Sequence, residues 1–265
     1  MTTSQAALFM GVPYSGPPMI NITVSTHQYA YNLFAAAGSP PGIVAVTLTI
    51  DPGIVLYGDG VNYYGLEIGA FAVGSIITII NNGVIAGGGG AGGMGGDGID
   101  APPEHVEQDG LPGLPGNTAI YTIRPIRIDN TNGVIYGGGG GGGGGAADWK
   151  GGGGGGGGTG HIAAAGGAGG PGTSGYNGTA GNPGTNSAGG TGGAGGYYPS
   201  DGSRAGTGGN GGGWGEAGQI GTYSTPPFAP TPGTGGAAGK AIVTNGNAIT
   251  WLGGNNSTQV KGPVV

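Results

Sequence analysis

The chain has 265 residues, of which 75 are glycine and 19 proline, while 7% are charged and none is cysteine. A formal net charge of −6 leaves no basic face for nucleic acid, and the absence of cysteine removes disulfide and thiolate chemistry. Glycine loses the most backbone entropy on ordering and buries no side chain, so at this content an aperiodic chain is a disordered one, and order requires a regularity that offsets the loss.

The opening "MTTSQAALFM" has no positively charged region, so no secretory signal is expected, and residues 1–18 are read as an N-terminal arm. "MINITVS" (19–25), "IVAVTLTI" (43–50), "GIVLYG" (53–58) and "SIITII" (75–80) are rich in Val, Ile, Thr and Tyr and bounded by Pro, Gly and Asn, which predicts strands. "QYAYNLFAAA" (28–37) predicts one short helix. The longest apolar stretch, "IGAFAVGSIITII" (68–80), holds two glycines and is too short to span a bilayer, so no membrane insertion is expected. Residues 19–86 are therefore read as a strand-rich base.

A repeat joins this base to the glycine-rich part. "ITIINNGVIAGGGG" (77–90) returns as "IRIDNTNGVIYGGGG" (126–140), with weaker copies "LTIDPGIVLYGDG" (48–60) and "IVTNGNAITWLGG" (242–254). Each copy reads as strand, tight turn, strand, glycine, which predicts a β-hairpin handing the chain to a glycine segment. Ile and Val of the four hairpins would supply the core. The last of them, within 240–265, is expected to return to the base.

Residues 87–239 carry the glycine. The runs 137–145 and 151–158 are nearly equal in length, and from 166 to 196 every third residue is glycine except Ser187. Period three is that of the polyproline II helix, which has no internal hydrogen bonds, so an eight-residue run would be a rod of about 25 Å. Packed rods must satisfy their N–H and C=O groups on one another, and only residues without a Cβ approach that closely. The expected fold class is all-β plus polyglycine II, with almost no α-helix: antiparallel rods folded back within one chain, "AADWK" (146–150) being one reversal.

Other reversals are "DGIDAPPEHVEQD" (97–109), "HIAAA" (161–165), "YYPSDGSRA" (197–205) and "WGEAGQIGTYSTPPFAPTP" (214–232). Aromatic and polar residues on loops held by a rigid scaffold have the composition of a binding surface. "GGMGGDGID" (92–100) fits one calcium-binding nonapeptide, with Asp97 and Asp100 as candidate ligands, but the next nine residues break the repeat and no metal is expected. "GTGGAAGKA" (233–241) lacks a phosphate loop's first glycine, replaced by Thr234, and its hydroxyl, replaced by Ala241. The three histidines are far apart and no GxSxG is present, so neither an enzyme nor a cofactor is expected.

Through "INITV", "YNLFAAAGSPP", "VTLTIDPGIVLYGDG", "IRIDNTNGVIYGGGGGGGGG" and "GKAIVTNGNAITWLGG", the sequence over about residues 18 to 254 resembles the tail-fibre tip adhesins of T-even-like bacteriophages. The resemblance implies a polyglycine II sandwich whose loops contact a bacterial outer-membrane protein or surface glycan. It also implies a place on the virion tail beside other fibre proteins. Family members usually begin with an attachment domain, where here the 18-residue arm precedes the first matched strand. The candidate contacts are Asp148, Trp149, Lys150, His161, Tyr197, Tyr198, Arg204, Trp214, Tyr223 and Phe228. The competing expectation is a structural virion protein, or a glycine-rich surface protein, without a receptor-binding role.

Overall fold

Val46, Leu48 and Ile50 alternate with threonine and alanine, a pattern that gives a strand one buried face. In the computed structural model, which describes residues 16–60, 62–101, 104–225 and 230–265, five strands of this kind stack in parallel, and the chain climbs past them in rungs.

The first rung holds β1 (Met19–Val24), β2 (Gln28–Tyr29), β3 (Tyr31–Asn32) and the single-turn α1 (Leu33–Ala36), whose cap Asn32 accepts from the Ala35 amide. The second holds β4 (Ala45–Ile50), β5 (Val55–Tyr57) and β6 (Leu66–Glu67). The third holds β7 (Ile76–Asn81), β8 (Val84–Ala86), an antiparallel pair β9 (Gly98–Ala101) and β10 (Glu104–Glu107) far out on the chain's excursion, and β11 (Ile120–Tyr121). The fourth holds β12 (Ile126–Asp129), β13 (Val134–Tyr136) and β14 (Ile242–Val243). The fifth holds β15 (Ile249–Gly253) and β16 (Val260–Lys261), and closes where Val264 bridges Ile242. Corresponding strands pair in parallel into sheets β1-β4-β7-β12-β15, β2-β5-β8-β13-β16 and β3-β6-β11-β14, the three faces of a β-helix.

Register stacks like on like inside it. Ile22, Leu48, Ile79, Ile128 and Trp251 form one column of the core. Each fully buried aliphatic side chain contributes about 1.5–3 kcal/mol.

The expected hairpins are not hairpins. The two strands of every repeat, including the C-terminal one, lie in different sheets, and the turn between them is a corner of the β-helix. At the strongest copies the Asn-Gly pairs do not adopt the positive φ that a two-residue hairpin turn demands. Gly83 and Gly133 are required by space: a Cβ on the first would overlap the Ile54 carbonyl and on the second the Asn81 carbonyl. Asn81 is buried at this corner, donating to Asn130 Oδ1 at 2.7 Å and accepting from the Gly83 amide at 3.1 Å, so the shared "NGVI" marks an asparagine-lined bend. Residues 120–136, inside the segment read above as sandwich, supply β11, β12 and β13 to the base.

The glycine segments leave the β-helix at the same seam in two successive rungs, after β8 and after β13, and return to β11 and β14. Among the described residues they form ten extended rods: 87–96, 110–117, 137–147, 151–159, 164–171, 178–184, 189–196, 205–213, 217–222 and 232–239, numbered 1 to 10 in chain order. In rod 3 successive amides turn to three neighbours. Gly138, Gly141 and Gly144 donate to rod 2, Gly139, Gly142 and Gly145 to rod 4, and Gly140, Gly143 and Ala146 to the strip running from Glu216 to Thr222. Its carbonyls accept from rods 1, 8 and 10. Rod 4 is likewise surrounded, by rods 1, 3, 5, 6, 7 and 8. The layers read 2-1-5, 10-3-4-6 and 9-8-7, and among the described residues only rods 3 and 4 have neighbours on all six sides.

That enclosure explains the two unbroken runs. A Cβ built at any glycine of 137–145 or 151–158 would overlap a neighbouring rod's carbonyl. Peripheral rods need glycine only toward their neighbours, and rod 1 turns Ala91 and Met94 outward while rod 2 does so with Leu111 and Leu114.

Candidate functional site

Because consecutive rods run in opposite directions, alternate reversals fall at opposite ends. Among the described residues, reversals 97–101 with 104–109, 148–150, 172–177, 197–204, and 223–225 with 230–231 gather at the end away from the base, and 160–163, 185–188 and 214–216 meet the base.

The distal reversals are tied to one another. The Thr173 amide donates to the Trp149 carbonyl at 3.0 Å and the Thr173 hydroxyl to the Gly98 carbonyl at 3.2 Å. Arg204 and Thr225 exchange backbone bonds at 3.0 and 2.7 Å, joining the fourth reversal to the fifth. The Thr231 amide donates to Asp109 Oδ1 at 2.6 Å, joining the fifth to the first. In 197–204 the chain turns on Gly202 at φ 75°, and Asp201 accepts from the Ser203 amide at 2.8 Å, its carboxyl held below the usual range by bonds from Ser203.

Within this frame Trp149, Tyr176 and Tyr198 meet edge to face, with centroids 5.6, 4.9 and 5.2 Å apart and interplanar angles of 78–88°. Beneath them Lys150 and Asp148 form a fully buried ion pair, Nζ to Oδ2 2.6 Å, with Nζ also donating to Ser203 Oγ at 3.0 Å and lying 4.0 Å from the Trp149 ring centroid. Removing one partner of a buried pair strands a charge, so this pair fixes the cluster from below. On the outside Tyr197 and Tyr223 are exposed, and the exposed Arg204 guanidinium lies 4.9 Å over the Tyr197 ring.

The expected contacts thus separate into three groups. Tyr197, Arg204 and Tyr223 face solvent at the distal end, with Trp149 and Tyr198 half-buried beside them, whereas Asp148 and Lys150 are internal supports. His161 and Trp214 lie at the other end, against the base: His161 packs on Tyr57 with centroids 4.5 Å apart, and Trp214 on Tyr136 at 5.6 Å. Phe228 lies outside the described residues. The stretch 214–232 is not one reversal, because 217–222 is a rod within it. Tyr176 was not anticipated, since its reversal keeps glycine at 172, 175 and 178 and the period runs straight through it. The available signal was that Tyr176 is the only aromatic residue between His161 and Tyr197. Asp97 is half-buried at the start of the first reversal and Asp100 lies in β9. Among the described residues no group of three metal-binding side chains occurs.

Residues 19–265 match the family described as "Phage tail fibre adhesin Gp38". The chain belongs to this adhesin family. Among solved structures, the adhesin resembles the "gp37-gp38 adhesin tip complex of the bacteriophage S16 long tail fiber" at 25% identity and a TM-score of 0.57, covering 94% of this chain and 82% of that one. No curated protein matches the adhesin. Membership gives it a host-recognition role and a place on the virion tail. No helix among the described residues is long and apolar enough to cross a membrane.

Proposed function

We propose that the distal end of the rods is the surface that docks, without covalent chemistry, on a bacterial outer-membrane protein or surface glycan, and that the rods are polyglycine II helices holding it rigid. The reading rests on the convergence of five reversals at one end, with Tyr197, Arg204 and Tyr223 exposed over the interlocked Trp149, Tyr176 and Tyr198. Tyrosine, tryptophan and arginine dominate binding energy where a scaffold fixes them in advance, because little rotamer entropy remains to be lost. The three-way turning of successive amides is what a three-residue-per-turn helix produces. The base end would then face the fibre, and another fibre protein would be its partner, as gp37 is for gp38 in the S16 tip complex.

The test is adsorption. Tyr197→Ala, Arg204→Ala and Tyr223→Ala combined should leave the melting curve within about 1 °C, since exposed substitutions cost little. Binding to susceptible cells should fall at least about 100-fold, the loss of two or more anchors. Unchanged adsorption by the folded triple variant would overturn the assignment and leave a structural virion role.

A further inference from the structure

At the opposite end of the rods, the outer face of the β2-β5-β8-β13-β16 sheet carries a column of aromatic rings. Register places Tyr29 beside Tyr57, Tyr57 beside Ala86, Ala86 beside Tyr136 and Tyr136 beside Lys261. The column thus carries rings on three rungs and lacks one at Ala86, where strands about 4.8 Å apart leave a gap one ring deep. The sandwich's proximal reversals border that gap instead of filling it. His161 lies against Tyr57, and Trp214 against Tyr136 with ring planes 35° apart. Between the two aromatic pairs is a cavity of about 220 Å³, floored by Val55, Val84 and Ala86 and edged by Tyr136, His161, Trp214 and Asn186.

We propose that this cavity is a saccharide site that takes one pyranose ring. A sugar ring has an apolar C–H face and a rim of hydroxyls, and the cavity offers the complement of each. The Trp214 and Tyr136 rings and the valine floor suit the apolar face. The His161 imidazole and the Asn186 carboxamide make no hydrogen bond to any described residue and stand at the rim. Burial, and His27 close by, lower the affinity of His161 for a proton, so at neutral pH its ring presents one donor and one acceptor. The wall is set in advance, because Trp214 Nε1 donates to the Asn186 carbonyl at 3.1 Å and so locks two reversals together. Aromatic pairs that only welded the sandwich to the base would need no unpaired, half-buried imidazole beside an open cavity, at whose mouth the exposed Asn186 stands.

The experiment is a titration of the purified full chain with the methyl glycosides of glucose, galactose, mannose and N-acetylglucosamine, following tryptophan indole N–H resonances, with Trp214→Phe identifying the Trp214 signal. At least one glycoside should shift that signal saturably in the millimolar range while the Trp149 signal stays still. The double variant His161→Ala, Asn186→Ala should weaken binding about tenfold or more, two hydrogen bonds being lost. If that variant fails to fold, Val84→Phe, which fills the floor, must abolish the shift. The triple variant at Tyr197, Arg204 and Tyr223 must keep it, so that failure of the distal reading and failure of this one are separable. No saturable shift with any of the four glycosides, or equal shifts in the double variant, would overturn the proposal.

Discussion

The base and the sandwich bury their chain by opposite means. In the base, Leu48, Ile79 and Ile128 are wholly inside and backbone bonding follows from strands that those side chains align. In the sandwich the interior is glycine: Gly141 donates to Leu114 and accepts from Gly236, and along the runs 137–145 and 151–158 no side chain of the run stands between the rods. Order in the first comes from apolar area, which tolerates changes of shape if volume is kept. Order in the second comes from backbone bonds, each worth only about 0.5–1.5 kcal/mol net, which tolerate no inward side chain but place no limit on outward ones. The lesson is that substitution tolerance is inverted between the two halves of one chain.

The severest test of that contrast is inside rod 3. Gly141→Val puts methyl groups into the Ala91 carbonyl and should cost about 4 kcal/mol or more, lowering Tm by roughly 10 °C in calorimetry. An unaltered curve would mean that the run is loose. Next comes the base, where Ile79→Ala should cost about 2–4 kcal/mol through the cavity it leaves. If Gly141→Ala, which adds a single methyl, costs less than Ile79→Ala, which removes several carbons, the inversion fails.

The smallest effect sits where the two regions touch. His161 is packed against Tyr57 and near His27, and its folded pKa lies below the unfolded value near 6.5. The unfolded chain therefore takes up the proton first. Stability should be insensitive to this group above about pH 6.5, fall as pH drops from there toward the folded pKa, and level off below it. Thermal melts of the parent chain and His161→Phe across that window should differ in slope, and parallel curves would show that the contact is not buried in solution.

Much of the base was legible because alternation writes itself into strands such as 45–50 and 76–81. Its closure was not, since β2, β3, β6, β11, β14 and β16 are two residues long and no window of periodicity detects them. "NNGV" and "NTNG" misled for a physical reason: Asn-Gly suits a hairpin turn, but here asparagine is needed to bond inside a corner and glycine to clear a carbonyl. The rods were legible from equal run lengths. Which end each loop occupies follows from counting reversals, and two of them, 172–177 and 185–188, are hidden by an almost unbroken glycine phase. Charge also misled at Asp148 and Lys150. Charged loop residues normally face water, and only the surrounding reversals make these two interior.

The return of the chain to one seam has a mechanical meaning. Tension applied at the distal loops enters the base through four covalent crossings, beside β8, β11, β13 and β14. The bonds between rods lie across the direction of that pull, so the rods are loaded in shear and sliding one past another must break a whole row of bonds together. A force across the rods would instead peel them one bond at a time. The molecule is therefore an anisotropic tether, stiff along the line from its loops to its base and weak across it.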